Sequence, residues 1–129
     1  MMAAVGQLAG LRLLVVEDEA MVAMMLEDML SDLGCVVVEV AGSLARGLAL
    51  VDSPHIAIDG AVLDVNLGGE KVYPVAERLT ARRVPFIFST GYGLAGISPQ
   101  FAHVLALAKP FSLSRLERAL LSAVARPQS

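Results

Sequence analysis

The stretch Leu11-Arg12-Leu13-Leu14-Val15-Val16-Glu17-Asp18-Glu19 decides the fold. Leu11 to Val16 is apolar apart from Arg12 and reads as a strand buried on both faces. It breaks directly into three consecutive acids. A buried strand with charge at its carboxyl end belongs to an open parallel sheet, where polar chemistry collects at strand ends. Downstream, Val22, Met25, Leu26, Met29, Leu30 and Leu33 recur at three- and four-residue spacing, which predicts an amphipathic helix that Gly34 stops.

The same alternation repeats along the chain. Cys35–Val40, Ile56–Leu63, Val84–Phe88 and Val104–Leu107 read as further strands. Helices are predicted over Ser43–Val51 with Ser43 as N-cap, over Val72–Arg83 ending before Pro85, and over Ser112–Ala125 with Ser114 and Glu117 spaced as a capping box. The fourth helix is the weakest, because Gly91, Gly93 and Gly96 each oppose helix by about 1 kcal/mol. Ser98 and Pro99 are placed to start a short turn there, running through His103. Five β-α units imply a doubly wound α/β sandwich with a five-stranded parallel sheet. The domain is expected over residues 11–126, with Met1–Gly10 a frayed tail and Pro127–Ser129 a second one.

Composition narrows the function classes. At 129 residues the chain is one domain's worth, and 56% hydrophobic residues with 18% charged argue against disorder. A net charge of −3 provides no basic field for phosphate backbones, so nucleic acid is not expected as a direct partner. Cys35 is the only cysteine, read as a buried thiol in a reducing compartment. No signal peptide is evident, and polar residues and glycines interrupt the uncharged run Val84–Ala108, so no membrane insertion and a cytoplasmic location are expected.

The strand ends carry the chemistry. Strand one ends in Glu17-Asp18-Glu19, strand three in Asp64, strand four in Ser89-Thr90, and strand five is followed by Lys109-Pro110. Crowded carboxylates raise one another's pKa unless a cation neutralises them, and hard oxygen donors suit Mg²⁺. Beside such an ion Asp64 is placed as a nucleophile toward phosphorus, with Lys109 neutralising charge on the transferred group and Thr90 donating a hydrogen bond to it.

Taken in order, Val15-Val16-Glu17-Asp18-Glu19, Leu63-Asp64-Val65-Asn66, Ser89-Thr90-Gly91 and Lys109-Pro110-Phe111 resemble the bacterial response-regulator receiver domain of two-component signalling. The resemblance implies a flavodoxin-like (βα)5 fold of strand order 2-1-3-4-5. It implies Asp64 as phosphoacceptor, Asp18 as direct Mg²⁺ ligand, Glu17 as second acid, Asn66 lending its backbone carbonyl to the metal, and Thr90 and Lys109 as the hydroxyl and lysine of the site. A sensor histidine kinase or histidine phosphotransfer protein would supply the phosphoryl group, and the chain would catalyse only its own phosphorylation and dephosphorylation. No output domain is expected after the last helix, so output would pass to an unidentified protein target, with homodimerisation through the face of the fourth and fifth helices an open alternative. Pro85-Phe86-Ile87-Phe88-Ser89-Thr90-Gly91-Tyr92 is similar to the proteobacterial subgroup named for a Phe-Ala-Thr-Gly motif, with Ser89 in place of alanine.

One departure concerns switching. Where most receivers carry Tyr or Phe three residues before the lysine, this sequence has Ala106. Ordering of the Gly91–His103 segment, anchored by Thr90, is the expected substitute, with Tyr92 positioned to shield the phosphoryl group from water. On the first helix Ala20, Ala23 and Met24 share a stripe with Glu27, Asp28 and Ser31, which predicts Met24, with Met21, as an exposed docking surface.

Three rival readings exist. Gly91-x-Gly93-x-x-Gly96 satisfies a dinucleotide fingerprint literally, but Pro99 falls where its helix should propagate and no acid ends the next strand. A hydrolase using Ser89 or Thr90 with His103 and Asp64 lacks a nucleophile elbow. The third is a phosphate-independent receiver-like binding module.

Overall fold

The computed structural model describes residues 7–91 and 96–125. Its main sheet contains β1 (Arg12–Val16), β2 (Val36–Ala41), β3 (Gly60–Asp64), β4 (Phe86–Thr90) and β5 (Ala106–Ala108). They run in the order β2-β1-β3-β4-β5, every neighbouring pair parallel. The helices are α1 (Ala20–Asp32), α2 (Leu44–Asp52), α3 (Tyr73–Ala81) and α4 (Leu113–Ala125). This is the doubly wound architecture expected from the alternating pattern, in the flavodoxin-like strand order that the resemblance implies.

Alternation along each strand divides the core in two. Leu14, Val16, Ala61, Leu63 and Phe88 meet Leu50 and Val51 of α2 and Val75 and Leu79 of α3 on one face. Leu13, Val15, Val62 and Ile87 meet Leu26 and Leu30 of α1 and Leu116 and Leu120 of α4 on the other. β3 is buried along its whole length, which explains its lack of any polar residue before Asp64. Because the strands are parallel, their carboxyl ends, and therefore Glu17, Asp64, Thr90 and Lys109, lie along one rim.

Several local expectations are corrected by tertiary contacts. The third strand begins at Gly60, not Ile56, because Asp59 turns out to pair with Arg12: its Oδ2 accepts from the Arg12 backbone N–H and Nε, each at 2.8 Å. The cap of α4 is Ser112, whose Oγ accepts the Arg115 N–H at 3.2 Å, so Ser114 lies inside the helix and forms no capping box. Ser43 does cap α2, accepting from Arg46 N–H at 3.1 Å. In α1 the buried line is Ala23, Leu26 and Leu30, so Ala23 leaves the outer stripe and Met25 joins it, 46% exposed.

The N-terminal segment is no tail from Leu8 onward. Leu8 is buried against the α1–α4 face, and Gly10 N–H donates to Gly34 C=O at 2.8 Å. In place of a fourth helix the described residues form one 3-10 turn, Pro99–Phe101, entered through Ser98. Cys35 is buried as expected, and desolvation pushes its thiol pKa up. No described helix is long and apolar enough to cross a membrane.

Candidate functional site

Each acid owes its place to an element end. β1 stops at Val16, and Glu17 N–H still donates to Ala41 C=O at 2.9 Å, which holds the Glu17 side chain at the rim. Glu17 is 2% exposed and Asp64 6%, whereas Asp18 is open to solvent. Carboxylate oxygens of Glu17, Asp18 and Asp64 all lie within 4.8 Å of one another.

Lys109 reaches into this group from the end of β5. Its Nζ donates to Glu17 Oε1 at 2.8 Å and to Asp64 Oδ2 at 3.2 Å. The other oxygens of those carboxylates are held by backbone: Glu17 Oε2 accepts from Glu19 N–H at 3.1 Å, and Asp64 Oδ1 from Asn66 N–H at 3.3 Å. Lys109 N–H in turn donates to Thr90 C=O at 2.9 Å, which ties the lysine to β4, and the Lys109-Pro110 peptide bond is cis. Thr90 is 3% exposed beside Asp64, whose register partner is Ser89.

Burial, then the charge of Glu17, pushes the Asp64 pKa up to about 6 against the opposing pull of Lys109. For Lys109, burial disfavours the charged form, but the hydrogen bond to Glu17 and the charges of Asp64 and Glu17 outweigh it and raise its pKa. One ammonium faces three carboxylates, so the group carries excess negative charge. Its donors are hard oxygens at mutual distances a small divalent cation can bridge, which fits Mg²⁺.

A hairpin follows Asp64. Asn66–Leu67 pairs antiparallel with Glu70–Lys71 across Gly68 and Gly69, whose φ angles of +60° and +98° favour glycine. Asn66 Oδ1 accepts from Gly69 N–H at 3.2 Å, so its side chain serves the turn. A Cβ on Gly68 would stand 3.7 Å from Asp18 Oδ2, which puts the hairpin tip beside the acids.

Residues 13–121 match the family described as the response regulator receiver domain. The chain belongs to the response-regulator receiver family. Among solved structures, this receiver is similar to SdrG from Sphingomonas melonis Fr1, with 42% identity and a TM-score of 0.80 over 91% of this chain and 98% of that one. It is also similar to the BeF3-activated conformation of SdrG from Pseudomonas melonis Fr1, at 43% identity and TM-score 0.75 over 90% and 98%. The receiver domain of sensor histidine kinase PA1611 from Pseudomonas aeruginosa PAO1, solved with a magnesium ion coordinated in its active-site cleft, aligns at 27% identity and TM-score 0.77 over 92% and 100%. No curated protein matches in sequence.

The receiver thus brings Glu17, Asp18, Asp64, Asn66, Thr90 and Lys109 to one rim. Met21 and Met24 lie on the first turns of α1, 83% and 63% exposed. Gly91 is an exposed bend, and Ala106 sits half-buried in β5 opposite Phe88. Tyr92 and Gly93 lie outside the described residues. The dinucleotide reading gains nothing from Pro99–Phe101, since a single turn offers no helix dipole for a pyrophosphate. Sequence reasoning missed Tyr73 and Phe101, which stack on each other and meet Phe88 edge-on. The only hint was an aromatic just before Pro74 at a helix start.

Proposed function

We propose that this receiver accepts a phosphoryl group on Asp64 from the phosphohistidine of a sensor histidine kinase or histidine phosphotransfer protein, in an Mg²⁺-dependent reaction that changes its protein contacts. The observation that carries the reading is Lys109 Nζ shared between Glu17 and Asp64 with Asp18 alongside. The acids account for the cation, the lysine for the transferred oxygens, and buried Asp64 for the nucleophile.

An Asp64 carboxylate oxygen forms the new P–O bond as the P–N bond to imidazole breaks, and the bond's electron pair leaves with the nitrogen. The Asn66 N–H and Lys109 hold the carboxylate in one orientation, so little rotational freedom is lost at attack. Lys109 compensates charge growing on the phosphoryl oxygens, and the Thr90 hydroxyl serves as a further donor to them. Glu17, Asp18, Asp64 and the Asn66 carbonyl would hold Mg²⁺, which supplies positive charge to the acids and the transferred group. Water attack on the acyl phosphate later returns Asp64, so turnover is confined to the receiver itself.

Met21 and Met24 supply an apolar, adaptable contact on α1 beside this rim, suited to the partner's phosphohistidine domain. Titration with beryllofluoride, a phosphoryl mimic, tests the site. Binding should require Mg²⁺ and disappear in Asp64→Asn; Mg²⁺-independent binding, or none in the native chain, contradicts the reading and favours a phosphate-independent module.

A further inference from the structure

Four of the five described phenylalanine and tyrosine rings form one cluster on the α3 face of the sheet. Tyr73 stacks on Phe101 with centroids 5.4 Å apart and planes at 15°. Both meet Phe88 edge-on, at 6.0 and 5.8 Å. Phe88 precedes Thr90 by two residues on β4, and its register partner on β5 is Ala106. Ala106 and Tyr73 both pack against the buried cluster that holds Phe88 and Phe101.

The Tyr73 phenol does more than pack. Its Oη donates to Gly96 C=O at 3.1 Å and accepts the Ser98 N–H at 2.9 Å. Tyr73 itself is the first residue of α3, and Val72 just before it donates its N–H to Val65 C=O at 3.0 Å, one residue past Asp64. The Val72 backbone and the adjacent Tyr73 side chain therefore join the loop that follows Asp64 to Gly96 and Ser98.

In place of the ordering of Gly91–His103 expected from the sequence, we propose that Tyr73 is a positioning residue, a latch that holds Gly96–Ser98 beside the ring cluster and opposes the displacement of these residues when Thr90 engages a phosphoryl group. The inference rests on the reading of Asp64 and Thr90 above. Displacing the segment breaks both phenol hydrogen bonds. The latched form is favoured until the phosphoryl contacts outweigh it, so apparent affinity for the group is reduced by the fraction latched.

The test is beryllofluoride affinity of the full chain with Mg²⁺, in the native receiver, in Tyr73→Phe and in Ser98→Pro. Tyr73→Phe keeps the ring and removes the hydroxyl. Ser98→Pro removes the amide donor together with the side-chain hydroxyl, at a φ of −58° that proline adopts. Both should bind the mimic more tightly, Tyr73→Phe by about fivefold or more for two lost hydrogen bonds. Amide exchange across Gly96–Ser98 of the native chain should accelerate when the mimic binds. Unchanged or weaker binding in Tyr73→Phe, with native binding intact, overturns the latch alone, because a merely structural role cannot tighten it. Failure of all three proteins to bind overturns both the latch and the site on which it rests.

Discussion

Lys109 Nζ stands 2.8 Å from Glu17 Oε1 and 3.2 Å from Asp64 Oδ2, so one cation serves two buried carboxylates. Removing it leaves those charges facing each other with little solvent. Lys109→Met should lower stability by about 1–3 kcal/mol at neutral pH, with Mg²⁺ restoring part of the loss. Thermal melts with and without Mg²⁺ check this, and an unchanged melt would show that the acids repel less than their spacing requires.

The Arg12–Asp59 pair gives the pH dependence. Hydrogen bonds from the Arg12 side chain hold the Asp59 carboxyl below its ordinary value of 3.8, outweighing partial burial. A carboxyl depressed on folding stabilises above its unfolded pKa, and that stability is lost as pH falls through the folded value. Asp59→Asn should therefore melt lower than the native chain near pH 7, and the two curves should converge in acid below about pH 4. A gap that persists at low pH would assign the loss to packing.

Met24 is 63% exposed on the helix that leaves the acidic rim. Met24→Glu should slow phosphotransfer from a cognate kinase about tenfold or more while leaving phosphorylation by acetyl phosphate unchanged. Equal loss of both activities would place Met24 in the fold, not at the docking surface.

Gly68 turns the hairpin beside Asp18 with φ +60°. Gly68→Ala should cost about 1 kcal/mol in a denaturant melt, the expense of a left-handed conformation with a Cβ. Binding of Mg²⁺, followed by amide chemical shifts of Asp18 and Asp64, should weaken with it; unaltered binding would separate the hairpin from the acids.

The site was more legible than its restraints. Glu17, Asp18, Asp64, Thr90 and Lys109 each end or follow an apolar run, and a parallel sheet brings such ends together whatever the helices do. Ser43 was readable because a cap is local. Ala23 and Met25 were exchanged between faces, since helical spacing alone does not fix the rotation of α1 against the sheet. Leu8 and Asp59 found partners through Gly34 and Arg12, which are distant in sequence. Tyr73 escaped notice for the same reason: its phenol meets Gly96 and Ser98 across 23 and 25 residues.

The central claim is that Asp64 carries the phosphoryl group. Intact mass of the purified chain after incubation with acetyl phosphate or phosphoramidate, with and without Mg²⁺, beside Asp64→Asn, tests it most directly. One added phosphoryl group is expected, in the native chain only and only with Mg²⁺. An unmodified native chain, or equal modification of Asp64→Asn, would contradict it.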